Sequence, residues 1–322
     1  MNLNYTKRSM ITIKILITGT DGFIGNYLKK HLENRGYSIF GTVFRRSPGK
    51  NEIKFDVRLI DSLQGLKNQN YDIIINTIGI VDQNQPKKLM FEVNFRGTKR
   101  LVDWSRNMKC KHFIQISSVA VYGLKSIGEN RSEQSTKRYE GYFAIPYMRS
   151  KAKAEKYIES SGIPYTILRL PAVLGRNDTI LSSSLITKLL KGNFYFSGKK
   201  DKIFSTLYIQ NLGSLIEKVL EIGPKNDYFN CTDYHTKWSK FINEYIKNLS
   251  IKTNLTTKSI FSILTNLKDK DYLLMISFSK FGAHFPNEKI KRVFNWNPEY
   301  PWEKGVSDAI ESHKTYESIK KE

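Results

Sequence analysis

From Ile11 onward, short β-branched runs alternate with longer stretches in which apolar residues recur at helical spacing. Five runs read as strands: Ile13 to Thr18, Ser38 to Phe44, Asp72 to Thr77, His112 to Ser117 and Tyr165 to Leu170. Each is short, largely apolar and bounded by polar, Gly or Pro residues, as strands buried on both faces are. Between them the periodicity predicts helices over Ile24 to Arg35, stopped by Gly36, over Phe91 to Asn107, and over Tyr147 to Ser161, stopped near Gly162 and Pro164. Alternation of this kind folds as a doubly wound parallel α/β sheet with helices on both faces. After about Gly175 it fades into segments rich in aromatic, Asn and Lys residues. The expected organisation is a flexible lead-in over 1–10, a nucleotide-binding domain over 11–175 and a smaller C-terminal substrate-binding lobe over 176–322. That boundary is soft, and the chain is free to re-enter the sheet beyond it.

The first strand runs directly into Thr18-Gly19-Thr20-Asp21-Gly22-Phe23-Ile24-Gly25. Gly19 permits a tight turn, Gly22 lets the backbone approach a pyrophosphate, and Gly25 lets helix and strand pack closely. The pyrophosphate then meets a helix N-terminus, where unpaired N–H groups and the dipole favour anions. A glycine triplet alone is also an ordinary strand-to-helix turn, but its place inside a βαβ unit points to a Rossmann-type dinucleotide site. About 20 residues on, folds that prefer NAD usually place an acid for the ribose 2′-hydroxyl. Here the second strand ends in Val43-Phe44-Arg45-Arg46-Ser47. Two guanidinium groups favour a 2′-phosphate, so the expected cofactor is NADP, with NAD as the alternative and solvated loop arginines as the plainer reading.

Pro146-Tyr147-Met148-Arg149-Ser150-Lys151 opens the third helix, and the spacing of four puts the phenol and the ammonium on one face. That spacing alone also fits two packed helix residues. What adds chemistry is Ser118, just past the carboxyl end of the strand His112 to Ser117, where open α/β sheets bind ligands. A hydroxyl there can hold a substrate oxygen while Tyr147 exchanges its proton, with Lys151 lowering the phenol pKa. Leu168-Arg169-Leu170-Pro171-Ala172-Val173-Leu174-Gly175, at another strand end, can close the nicotinamide side of the pocket.

Together these motifs resemble the extended short-chain dehydrogenases/reductases, the NAD-dependent epimerase/dehydratase group, over nearly the whole chain. Thr18 to Gly25, including Asp21, Phe23 and Ile24, resembles that family's TGxxGxxG loop. Asp56-Val57 resembles its adenine-contacting pair, and Asn76 to Gly79, with Thr77, and Asn94 match its nicotinamide-supporting segments. Ser118, Tyr147 and Lys151 match its catalytic Ser/Thr and YxxxK. Tyr208-Ile209-Gln210-Asn211-Leu212 stands where the family has a strand and an acidic pair, and Phe294-Asn295-Trp296-Asn297-Pro298 resembles its terminal GW-x-P segment.

The resemblance implies a nicotinamide-dependent enzyme acting on a nucleoside-diphosphate sugar, its diphosphate bound by basic residues of the second lobe. It also implies a homodimer formed through the helices at Phe91 to Asn107 and Tyr147 to Ser161. Departures narrow the reaction. Val119-Ala120 stands where dehydratases carry an acidic pair, and Ala172 where epimerases usually carry Asn. Arg169-Leu170-Pro171 resembles 4-keto sugar-nucleotide reductases, leaving a reductase as the leading expectation and an epimerase as the alternative.

Composition changes this picture little. The formal charge of +22 favours anionic partners and admits a basic binding protein on a retained fold, but Lys and Arg are spread along the chain rather than gathered in a nucleic-acid-binding run. No segment approaches the roughly 20 apolar residues of a membrane span, and the polar start Met1 to Ser9 gives a cytoplasmic expectation. Cys110 and Cys231 are too few for a disulfide framework, and the five histidines have no metal-binding spacing. Trp238, Trp296, Trp302 and Cys231 read as packing residues, and His31 as a surface residue.

Overall fold

The computed structural model describes residues 13–67, 69–123, 130–135, 145–196, 202–252, 257 and 282–319. The lead-in expected over 1–10 lies outside them.

Seven strands form one parallel sheet: β1 (Lys14–Thr18), β2 (Ser38–Val43), β3 (Glu52–Lys54), β4 (Ile73–Asn76), β5 (His112–Ser118), β6 (Tyr165–Leu170) and β9 (Asp227–Asn230). They lie in the order β3-β2-β1-β4-β5-β6-β9. The five expected strands are all present, with ends shifted by a residue at most. Successive side chains feed opposite faces. Ile15, Ile17, Ile73 and Ile75 pack with Leu28 and Leu32 of helix α1 (Phe23–Asn34) and Leu212 and Leu215 of α6 (Ile209–Ile222). Leu16, Ile74 and Phe113 pack with Leu101 and Val102 of α3 (Thr98–Asn107) and Ile158 of α4 (Pro146–Ser160). Burial on both faces is why these strands are continuously apolar.

The helix expected over Phe91 to Asn107 starts earlier, as α2 (Lys87–Phe91), and is interrupted by a π turn at Glu92–Gly97 before α3. His31, expected at the surface, is instead partly buried between α1 and α6, with its Nε2 2.6 Å from Glu217 Oε1. The chain also returns to the large sheet after residue 175. Strand β9 extends it beside β6, and α6 covers it next to α1.

The second lobe is a three-stranded sheet of β10 (Tyr234–Lys237), β8 (Ile203–Tyr208) and β7 (Ala172–Leu174). It packs with α5 (Leu181–Leu190), α7 (Trp238–Leu249) and the C-terminal helix Trp302–Ile319. Trp238 and Trp302 are buried in this lobe, while Trp296 closes over α6 and donates from Nε1 to Ser214 Oγ at 3.0 Å. Cys110 and Cys231 are buried thiols. Among the described residues no helix is long and apolar enough to cross a membrane.

Candidate active site

The strand order reverses between β1 and β4, and at such a switch point the loops after the strand ends part to leave a crevice. The floor beneath it is polar and fixed. At one level across three strands, Thr18 Oγ1 donates to Asn76 Oδ1 at 2.7 Å and Asn76 Nδ2 donates to Gln115 Oε1 at 2.9 Å. Above it Gly19 turns with φ +80°, and a Cβ on Gly25 would stand 2.2 Å from the Gly19 carbonyl oxygen. Helix α1 therefore starts hard against the strand end. No side chain caps it at Gly22, which leaves first-turn N–H groups for an anion.

Two adjoining cavities occupy the crevice. The larger, about 820 Å³, is lined by Gly19, Asp21, Gly22, Arg45, Asp56 and Val57. The smaller, about 310 Å³, is lined by Phe23, Ile24, Ser118, Tyr147, Lys151 and Pro171. Thr77 and Gly79 line both. Of the expected site residues only Gly25, Arg46 and Asn94 stand off these walls. Gly25 packs beneath the turn. Asn94, carried by the π turn, works from behind: its amide accepts from Ile80 N–H at 2.7 Å and donates to Ile80 O at 2.9 Å and to Ser150 Oγ at 3.1 Å. It so fixes the loop after β4 against α4. An extended glycine turn at an uncapped helix start, with two adjoining cavities leading from it to Tyr147, fits a dinucleotide.

At the far end of β2 the structure corrects the reading of the two arginines. Arg46 is bound bidentately to Glu52, at 2.6 and 2.7 Å, and Glu52 is also held by Thr20 Oγ1 and Gly49 N–H. The Arg46 guanidinium holds the Glu52 carboxyl down at about 2. Arg45 alone of the pair lines the cavity. A carboxylate is present here after all, brought from the glycine loop: Asp21 Oδ2 accepts from Phe44 N–H at 2.9 Å and Arg45 N–H at 2.7 Å. Asp56 is paired with Arg58, whose guanidinium lies 5.2 Å over the Phe44 ring. Both Phe44 and Arg58 join the wall, neither having been expected there.

Tyr147, Lys151 and Ser118 converge. Pro146 starts α4, and Tyr147, Lys151 and Glu155 share its buried face at successive turns. Ser118 is extended at the end of β5, with Oγ accepting from Ala120 N–H at 3.2 Å. Burial pushes the Tyr147 phenol up to about 12, opposed by a side-chain hydrogen bond with Ser118. Burial pulls Lys151 down to about 8, opposed by the charge of Glu155. Lys151 Nζ donates to Ile116 O at 3.1 Å. Glu155, fully buried, accepts from Ser117 Oγ at 2.6 Å and pairs with the equally buried Arg169 at 2.7 Å. The Tyr147-x3-Lys151-x3-Glu155 period was the available signal for this third residue.

Val119 and Ala120 follow Ser118 on the wall, and Asp178 is the only carboxylate among the described residues lining the smaller cavity. The second lobe contributes one Lys or Arg to the described walls, Lys188 in the larger cavity, where several basic residues were expected.

A parallel sheet of this order, a glycine turn at its switch point and a phenol, ammonium and hydroxyl at one cavity define a nicotinamide-dinucleotide oxidoreductase of the Rossmann class. Residues 15–232 match the NAD dependent epimerase/dehydratase family, and the chain belongs to it. It is 25% identical to a dTDP-D-glucose 4,6-dehydratase of Dictyostelium discoideum, over 94% of this chain and 82% of that protein. It is 22% identical to the decarboxylating sterol-4-alpha-carboxylate 3-dehydrogenase of the same organism, over 74% of this chain and 77% of that one. Its fold matches the enzyme WbmH of Bordetella bronchiseptica in complex with NAD+, at TM-score 0.77 and 16% identity, covering 94% of this chain and 99% of WbmH.

Proposed function

We propose that the chain reduces a keto group on a nucleoside-diphosphate sugar, with NADPH as the preferred donor. The observation that carries the reaction type is the Ser118–Tyr147 hydrogen bond beside a cavity whose one described carboxylate is fully occupied. Asp178 accepts from Ile180, Leu181 and Ser182 N–H and from Ser182 Oγ, so neither oxygen is left to remove a proton for elimination of water. The sugar-nucleotide activity named for the Dictyostelium dehydratase supports the substrate class. Arg45 on the cavity wall supports the 2′-phosphate, while Asp21 keeps NADH as the second donor this corner admits.

A bound reduced nicotinamide supplies the hydride that reaches the carbonyl carbon. Tyr147, held protonated by burial, donates its proton to the carbonyl oxygen as the C=O bond becomes a C–O–H single bond. Ser118 hydrogen-bonds the same oxygen and fixes its position. Lys151, one turn along α4, places positive charge that stabilises the phenolate left behind.

The test is Tyr147→Phe with keto sugar nucleotides and NADPH. The expected result is net consumption of NADPH by the parent and a fall in kcat of about 10²–10⁴ in the variant. Undiminished turnover removes Tyr147 from the mechanism, and an isomerised product at constant nicotinamide absorbance replaces the reductase by an epimerase.

A further inference from the structure

On the reductase reading, the cavity of about 310 Å³ beside Tyr147 is where the carbonyl-bearing part of the substrate lies, and the substrate preference drawn from its wall rests on that reading. Among the described residues, the wall beyond the catalytic groups is built from both lobes and is mainly apolar, with Val119, Ala120, Ala172, Val173, Phe204 and Phe285. The described polar side chains in that wall, Ser184 apart, are turned to other work. Ser205 Oγ accepts from Phe285 N–H at 3.1 Å and lies 2.8 Å from His235 Nδ1. Asp178 caps the start of α5 through four donors. Ser117 donates to Glu155, and the Gln83 amide donates to Val81 O. Ser184 lines both cavities and so stands at their junction.

A hydroxyl carried next to the carbonyl would lose its water on entry and meet carbon on the wall, and a buried donor without a partner is costly. A methyl or methylene in the same place is held by contact and needs no partner. We infer that the substrate is a ketone whose neighbouring carbons bear hydrogen or methyl rather than hydroxyl, a deoxygenated ring if it is a sugar. Specificity is then set by Val119, Ala120, Ala172 and Phe204, which reject hydroxylated isosteres. Tyr147, Ser118 and Lys151 act on the carbonyl in either kind of ketone.

The test uses the full chain with NADPH and two ketones that differ only beside the carbonyl, 2-methylcyclohexanone and 2-hydroxycyclohexanone. The expected result is a kcat/KM at least roughly tenfold higher for the methyl compound. The isosteric Val119→Thr, which adds one hydroxyl to the wall and leaves the catalytic groups in place, narrows that ratio severalfold. A hydroxy ketone reduced as well as or better than the methyl ketone overturns the inference and leaves the reductase reading standing. If neither ketone consumes NADPH, the reductase reading is decided by the keto sugar nucleotides and NADPH used above. The wall is then judged by thermal shift with the same pair, and equal or greater stabilisation by the hydroxy ketone overturns it.

Discussion

In the proposed reduction Lys151 is the residue on which pH acts most directly, because the mechanism needs its ammonium charged while burial pulls its pKa down to about 8. The charged form is the working form, so kcat/KM falls as pH rises through about 8, and Lys151→Arg, which keeps its charge, abolishes that alkaline limb while lowering kcat. Arg45 and Arg46 separate in the same residue-by-residue way. Arg45→Ala weakens NADPH binding roughly tenfold and leaves NADH unchanged, whereas Arg46→Ala, removing a guanidinium already paired with Glu52, changes neither, as fluorescence titration reads directly. Chemistry borne by near neighbours was legible: three glycines in one turn, and a phenol and an ammonium one helical turn apart. Asp21 and Glu52 were not legible as partners of the β2 end, because their contacts span 23 and 6 residues and exist only once the glycine turn and β3 are in place. Counting cations without the carboxylates the fold brings to them overstated the positive charge of that corner.

Helix α4 carries Tyr147 and Lys151, and the Glu155–Arg169 pair clamps it to β6, while Ser117 clamps it to β5. Both charges are fully buried, and Arg169 also donates to Tyr122 Oη at 2.8 Å. Glu155→Gln leaves a guanidinium buried without its countercharge, at a cost of about 3 kcal/mol of unfolding free energy, read as a fall in the denaturant midpoint. Adding Arg169→Met recovers a large part of that loss, because no charge then remains to desolvate. The helices α1 and α4 and the five central strands followed from periodicity and stop signals, since their apolar faces are continuous. The π turn at Glu92–Gly97 did not, because an extra residue in one turn shifts the apolar phase without leaving a breaker in the sequence. It is there that Asn94 gains its hold on Ile80.

Across the whole molecule, the sheet shields a histidine that cannot easily take a proton. His112 starts β5 with Nε2 2.8 Å from Thr166 Oγ1, and burial pulls it from 6.5 down to about 4. Between those values the unfolded chain binds the proton and the folded one does not. Stability is therefore complete above about pH 6.5 and declines by about 3 kcal/mol as pH falls to about 4. His112→Gln flattens that part of the curve of melting temperature against pH. The fading of the α/β pattern after Gly175 marked the second lobe in the sequence, yet it hid α6 and β9, because Asp227–Asn230 is only four residues long and has no run of β-branched residues. That return has a consequence for biosynthesis. A ribosome that has released residues 11–175 has not yet made β9, or the helix Glu288–Phe294 whose Phe294 packs on Phe229, so the β6 edge stays open until residue 230 has emerged and the apolar sheet face until residue 294 has. The sheet that carries the glycine turn is then closed only by chain made well after it, and its nascent form offers an open strand edge and an apolar face to a chaperone.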